Sequence, residues 1–235
     1  MSNKESSTNG AASVDVLNKL RASVLGANDG VVSVSSILMG VAGATDNTGA
    51  IFTAGLAALV AGALSMAVGE YVSVSSQSDA EKAYIKRERQ LLKQDPEGQF
   101  EELVEAYVSK GIDQKTAHKV ATELSGQDAL KAHLMTEFGL NEDDVVNPMH
   151  AAVASFLSFS VGGIIPFITI LVAPFSWRIS ATVIAVVAAL IVTGYLSASV
   201  GGASKRRAIA RVVFGGLLAM VITYCIGKWF GTAVG

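Results

Sequence analysis

Five stretches of this chain are apolar over the length that a bilayer demands, and one long polar stretch divides them. A spanning helix needs roughly 20 mostly apolar residues, and segments 24–45, 50–76, 150–173, 177–202 and 208–233 meet that requirement. The second is rich in Gly and Ala, and its end (YVSVSSQSDAEKAY) allows it to run straight on into the polar stretch as one helix. Pro148 and Pro174 fall at span boundaries. Pro166 falls inside the third span, where its missing N–H predisposes the helix to kink. The polar stretch, 78–147, carries its own helix punctuation. A helix over 79–94 is followed by Asp95-Pro96, a start signal with Pro at the first position. A helix over 97–110 stops at Gly111, Asp113 caps 114–125, and Asp128 starts 129–138, which stops at Gly139. Leu103, Ala106 and Tyr107, then Ala117, Val120, Ala121 and Leu124, recur at helical spacing. The opening MSNKESSTNGAA is polar and lacks the basic start and apolar core of a secretory signal, so residues 1–16 read as a disordered tail. The pattern predicts an all-α membrane protein: transmembrane helices 1–2 within 17–77, a helical insert over 78–147, and transmembrane helices 3–5 within 148–235.

Composition sharpens this picture. The chain is 51% hydrophobic and only 16% charged, against about 25% charged for an ordinary soluble domain. The charge is also segregated: 15 of the 20 acids lie between Asp79 and Asp144, and nine of the 18 Lys and Arg lie between Lys82 and Lys131. That distribution excludes a soluble enzyme. A net charge of −2 gives no footing for a nucleic-acid partner. The single Cys225 sits in an apolar segment, which excludes an intrachain disulfide framework and reads as a small buried hydrophobe. Lys19 and Arg21 before the first span, the insert, and Lys205, Arg206, Arg207 and Arg211 between the last two spans all fall on one side, which the Lys/Arg bias makes the cytosol. The N-terminus and the insert are then cytosolic and the C-terminus is outside.

Asp29 and Glu70 are the only carboxylates within the apolar stretches. A charged side chain at mid-bilayer depth costs at least ~2.5–3.5 kcal/mol, so both acids call for a task, either holding a cation or passing a proton. The first span runs outward and the second inward, which places both acids on the cytosolic half and suggests one shared site. Met66 lies four residues before Glu70, on the same helix face. A thioether binds Mg2+ and Ca2+ poorly and suits softer transition ions, and Asn28 beside Asp29 adds an oxygen. Blander readings stand beside these: Met66 as core filler, Asp29 as an acid complementing a helix N-terminus, and Glu70 as an interfacial residue. Two echoes, VSVSS at 32–36 and 72–76 and SVGG at 160–163 and 199–202, fit either an internal duplication or small-residue helix packing, and packing is the simpler account.

The segments LRASVLGANDGVVSVSSILMGVAGA, AGALSMAVGEYVSVSSQSDAE, DPEGQFEELVEAYVSKGI and HLMTEFGL together resemble the vacuolar iron transporter family over about residues 17–233. The resemblance implies a homodimer with five spans per subunit and a cytosolic helical metal-binding domain. It implies export of Fe2+, and often Mn2+ or other divalent ions, from the cytosol in exchange for protons. No cofactor is implied, the metal being cargo, and the partners are metal ions, protons, the bilayer and a second copy of the chain. The membrane is a bacterial inner membrane for a prokaryotic chain and a vacuolar one for a eukaryotic chain. By the same resemblance Asp29 and Met66 line the path, and Glu70 falls in the matching stretch. In the insert, Glu88, Glu102 and Glu137 stand where ligands are expected. Leu91 and Gln99 replace expected glutamates, and His133-Leu134 replaces an expected Met pair, with Met135 near enough to compensate.

His133 and Glu137 are four apart, a good two-ligand face for a neutral imidazole. Against that, Glu97, Glu101 and Glu105 form a stripe that reads as a solvated helix face. His118 reads as a surface residue and His150 as an interfacial one. A ferritin-type di-iron oxidase needs Glu three residues before a His, and Lys115, Leu130 and Asn147 occupy those positions, which argues against that enzyme class. The alternative to transport is a membrane-anchored metal sensor or storage protein, which leaves Asp29 and Glu70 unexplained.

Overall fold

A computed structural model describes residues 3–140 and 147–234, with side chains over 23–140 and 147–231. The described residues form seven α-helices: α1 (Asn3–Ala44), α2 (Thr48–Gln94), α3 (Pro96–Ser109), α4 (Gln114–His133), α5 (Pro148–Val172), α6 (Arg178–Gly201) and α7 (Lys205–Val234). A π-helical turn, Leu134–Phe138, follows α4, and a 3-10 turn, Phe175–Trp177, precedes α6. No strand occurs among the described residues. Among the described residues, five helices are long and apolar enough to cross a membrane, within segments Ser23–Ala44, Thr48–Gln94, Pro148–Val172, Phe175–Gly201 and Lys205–Gly231. The chain is an all-α, multi-pass membrane protein.

Two elements differ from the sequence pattern. The helix of the first span starts at Asn3, so residues 3–16, expected as a disordered tail, are helical; that segment holds no Pro and a single Gly to interrupt a helix. Residues 129–138, expected as one helix, are instead the end of α4 followed by the π-turn. The expected run-on of the second span is present: α2 is a single helix of 47 residues. At 1.5 Å per residue such a helix is about 70 Å long, against a hydrocarbon core of about 30 Å, so only its apolar part, 50–76, is read as the span.

The chain forms two compact units, Met1–Val72 with Met149–Gly235, and Ser73–Pro148. In the first, α1 is the central helix. Val34, Leu38 and Ala42 of α1 pack with Ile51 and Ala63 of α2 and Phe159, Phe167 and Ile170 of α5. On another side, Val31 and Met39 meet Val186 and Leu190 of α6 and Met220 of α7. Lipid tails are as apolar as these side chains, so helix association in a bilayer relies on close van der Waals contact. Glycine allows that contact here. A Cβ on Gly30 would collide with the Phe159 carbonyl, and one on Gly227 would collide with the Gly40 carbonyl. The ring of Phe159, 2% exposed, sits against Gly62 of α2. Outward faces carry exposed apolar groups such as Val68, Val161, Ile184, Phe214 and Trp229, an inside-out pattern that a lipid surround explains and water does not.

At the α1–α2 turn, the Asn47 side chain accepts from the amides of Gly49 at 2.8 Å and Ala50 at 3.1 Å, capping α2. Arg178 at the start of α6 donates to Thr48 Oγ1 at 3.3 Å and stands over the Phe175 ring at 4.7 Å, a cation with aromatic neighbours of the kind found at membrane interfaces.

The second unit has a separate small core: Leu103 and Val104 of α3 with Ala117, Ala121 and Ala132 of α4. Its caps follow the sequence signals. Asp95 accepts from Gly98 N at 2.9 Å with Pro96 next in the chain, and Asp113 accepts from Lys115 N and Thr116 N. Asp128 breaks α4 with an extended backbone and accepts from Lys131 N at 3.0 Å, capping the piece that follows. Gly139, at φ +63°, closes the π-turn in the left-handed conformation that glycine adopts freely.

Candidate functional site

The polar unit brings three ligand-type side chains together. Glu88 comes from the polar part of α2, where it follows Ile85 by three residues and faces inward with it; both are buried. His133 ends α4, and Glu137 follows one turn later in the π-turn. Such widened turns occur often at functional sites. The unit secures this corner with a stack of Tyr84 on Phe138 at 5.2 Å, a hydrogen bond between Tyr107 and Thr136 hydroxyls at 2.9 Å, and a bond from Lys110 Nζ to the Thr136 carbonyl.

His133 Nδ1 lies 3.1 Å from Glu88 Oε1 and 3.1 Å from Glu137 Oε1. The His133 side chain is 1% exposed, that of Glu88 5%, and that of Glu137 20%. A ring nitrogen carries at most one proton. The contact to Glu137 has hydrogen-bond geometry, and Glu88 Oε1, although equally close, is left without a hydrogen-bond partner. A buried oxygen without a donor costs roughly 1–3 kcal/mol, more when charged. Burial accordingly raises the Glu88 carboxyl above its ordinary value of 4.5, the nearby Glu137 charge raises it further, His133 opposes the rise, and Glu102 adds to it. A divalent cation would answer that deficit. One donor atom from each of the three residues falls within 4.8 Å of the others. Donors bound to one ion at ~2.0–2.2 Å stand about 3.0–3.5 Å apart, close to the spacings of His133 Nδ1. One imidazole nitrogen with carboxylate oxygens suits Fe2+, Mn2+, Zn2+ and similar ions better than Mg2+ or Ca2+.

The other candidates in this unit fall differently. Glu102 is exposed and accepts from Gln99 Nε2 at 2.8 Å. Met135 is 57% exposed. Leu134 is fully buried in an apolar role. His118 is exposed, its ring edge-on to Phe100 at 5.1 Å, and His150 is exposed. Spacing paired His133 with Glu137, whereas Glu88 was named only as a ligand position that the family resemblance implied. Sequence reasoning also missed that Gln99 is buried. Apart from that resemblance, the signal for Glu88 was its place three residues after Ile85 on the inward face of α2.

In the membrane unit Asn28 and Asp29 are half-buried on α1. Ser33 donates to Asp29 Oδ1 at 2.8 Å, and Thr193 of α6 approaches Asn28 Oδ1 at 3.5 Å. Met66 packs against the apolar cluster built around Phe159, and Glu70 is half-buried one turn further along α2. Among the described residues no hydrogen bond or ion pair joins the α1 pair to the α2 pair.

The comparisons with known proteins match nearly the whole chain. The sequence model of the VIT family covers residues 20–228. A vacuolar iron transporter of Acanthamoeba castellanii is 43% identical over 209 residues, which are 88% of this chain and 77% of that protein. Vacuolar iron transporter homolog 2 of Arabidopsis thaliana is 37% identical over 213 residues, 90% of this chain and 84% of that one. Vacuolar iron transporter homolog 1 of Oryza sativa subsp. japonica is 38% identical over 213 residues, 90% and 74% of the two chains. With a family match from residue 20 to residue 228, this chain belongs to the VIT family.

Proposed function

We propose that this protein is a transporter, not an enzyme, which moves Fe2+, and Mn2+ as a second cargo, out of the cytosol in exchange for protons. The observation that carries this reading is the buried His133 nitrogen set 3.1 Å from two carboxylate oxygens, one of them without a hydrogen-bond donor, in a chain whose other unit is built for a bilayer. In the proposed cycle the polar unit faces the cytosol and collects the ion on Glu88, His133 and Glu137, with Glu102 beside them. Asp29 and Met66, assisted by Asn28 and Glu70, carry the ion across. Carboxylates ligate only when ionised, so metal binding expels protons, and protonation from the far side releases the metal. The working form is a homodimer in a vacuolar membrane, the membrane named for the relatives.

Purified protein in proteoliposomes with a pH-sensitive dye inside tests this reading. An Fe2+ or Mn2+ gradient drives a pH change with the parent chain, and Asp29→Asn removes it. A parent chain that moves neither metal nor protons overturns transport in favour of a sensor or store. Wild-type flux in Asp29→Asn overturns the mechanism alone.

A further inference from the structure

The Ser33 hydroxyl departs from the usual habit of hydroxyls inside helices. Ser and Thr in mid-helix commonly bond back to the carbonyl four residues earlier. Ser160, Thr169, Thr182 and Ser199 do this, with Oγ to carbonyl distances of 2.8, 2.7, 2.7 and 2.9 Å. Ser33 has the Asp29 carbonyl at the same spacing, yet its Oγ donates to the Asp29 carboxylate Oδ1 at 2.8 Å. Thr193, the hydroxyl that approaches Asn28, stands nearer to the Leu190 carbonyl, at 3.2 Å against 3.5 Å. Among the described residues Ser33 is the one hydrogen-bond partner of Asp29. The backbone under Asp29 is fixed separately. Gly26 and Gly30 seat α1 against α5, where an added Cβ would stand 3.1 Å from Ser158 Cβ or collide with the Phe159 carbonyl. The Asp29 side chain lies on a more open face: Leu25 and Ile37, which share that face at a spacing of four and eight, are 61% and 45% exposed. With the backbone seated by glycine, the side-chain torsions of Asp29 are what Ser33 holds.

We infer that Ser33 is a positioning residue of the transport path: its hydroxyl fixes the Asp29 carboxylate with Oδ1 engaged, leaving Oδ2 free to meet the passing ion. The inference rests on the reading of Asp29 as a path residue and goes beyond it by naming the group that aims Asp29. Carboxylates that ligate metals are themselves held by hydrogen bonds, and losing such a partner weakens affinity or activity. A hydroxyl on an ionised carboxylate makes one of the stronger hydrogen bonds available to a side chain. A ligand already held in place has less freedom to lose when the ion arrives, so the effect falls on affinity. Ser33 is also suited to both halves of the cycle. Its hydroxyl donates to Asp29 when the carboxylate is ionised, and it can still donate to the carbonyl oxygen when the carboxyl carries a proton. The aim of the side chain is therefore kept while its charge changes.

The test is Fe2+ flux into proteoliposomes as a function of Fe2+ concentration, for the parent chain, Ser33→Ala, Ser33→Thr, Ser33→Val and Ser160→Ala. Ser33→Ala should raise the concentration for half-maximal flux about tenfold, the lower end of the range for lost partners of metal ligands, and should change the maximal flux less. Ser33→Thr keeps the hydroxyl and should stay near the parent. Ser33→Val has the shape of Thr without the hydroxyl and should behave as Ser33→Ala does, so the Thr and Val pair gives the same reading if Ser33→Ala does not fold. Ser160→Ala removes a hydroxyl that bonds only to a backbone carbonyl and should match the parent. A second readout needs no transport: the Asp29 carboxyl band, isolated in the infrared as the difference made by Asp29→Asn in each background, should shift in Ser33→Ala and stay in place in Ser160→Ala. A parent chain without flux fails the transport reading, and the inference falls with it. Flux in the parent with an unchanged half-maximal concentration in Ser33→Ala overturns the inference alone. So does an equal rise in Ser160→Ala, or an Asp29 band that does not move.

Discussion

The membrane unit and the polar unit present their acids in opposite ways. In the membrane unit, carboxylates are so scarce that Asp29 and Glu70 stand out from the sequence alone, and burial adds little to their interest. In the polar unit, acids are common, and most are solvated. There, convergence distinguishes Glu88 and Glu137 from their neighbours, and burial distinguishes Glu88 as well: among the described residues these two meet the buried His133 imidazole. The lesson is that the cost of a charge identifies a site only relative to its surroundings. In lipid-compatible sequence, presence alone is costly. On a polar helix, the cost begins when the group is taken out of water.

The units also differ in what holds them together, and a glycine substitution breaks that comparison most sharply. Gly30→Ala places a Cβ against the backbone of α5, colliding with the Phe159 carbonyl and standing 2.9 Å from Gly163 N. Backbone atoms cannot rotate away as a side chain does. The expected cost lies at or above the upper end of the ~1–3 kcal/mol typical of overpacking. It should appear as a large fall in the thermal midpoint of the detergent-solubilised protein, or as its loss from the monodisperse peak. A Gly30→Ala protein as stable as the parent would show that α1 and α5 are not packed through glycine.

Second in size is the proposed metal site. His133→Leu removes the nitrogen between the two carboxylates and should lower metal affinity roughly tenfold or more, about 1.4 kcal/mol or greater. In proteoliposomes it should raise the metal concentration needed for half-maximal flux and leave the maximal flux largely intact, whereas Asp29→Asn abolishes flux at every concentration. If both variants lose maximal flux alike, the division into a collecting site and a path is wrong.

Third, Gly126→Ala tests the other side of the glycine comparison. Gly126 lies within α4, and a Cβ there meets nothing within 4 Å. The substitution should stabilise that helix by about 0.5–1 kcal/mol, slowing amide exchange along α4. The same chemical change is thus expected to act with opposite sign in the two units. A destabilised Gly126→Ala would mean that this face of α4 is covered in the working protein.

Much of the fold was legible because the bilayer imposes length and apolarity on each span. The five segments read from hydropathy agree with the helices to within a few residues, apart from the early start of α1 and the run-on of α2. Caps were legible for a local reason: Asp95-Pro96, Asp113 and Asp128 act on amides two or three residues away. The cluster of Glu88, His133 and Glu137 was legible only in part. His133 and Glu137 are neighbours along one helical stretch, but Glu88 reaches them through the packing of α2 in the polar unit, and no spacing rule reports that. Gln99 read as a departure from an expected glutamate, and the burial of its side chain is concealed by its polar neighbours in sequence. The π-turn was invisible for a similar reason, since LMTEF has no composition that separates it from an α-helical turn.

The smallest expected effect concerns Asp113, whose cap on α4 is fully solvated and therefore a clean test of local electrostatics. Its hydrogen bonds with Thr116, and next with Lys115, hold its carboxyl below the ordinary value of 3.8. A carboxyl with a lowered folded-state value contributes stability that is complete above the unfolded value and fades as pH falls through the folded one. Asp113→Ala removes that contribution at every pH. The exchange rates of the first α4 amides should therefore differ between parent and variant near neutral pH, and the difference should close on acidification below about pH 4. A difference that persists unchanged to pH 2 would mean that Asp113 acts through shape alone, not through the charge it places beside the unpaired N–H groups of the helix start.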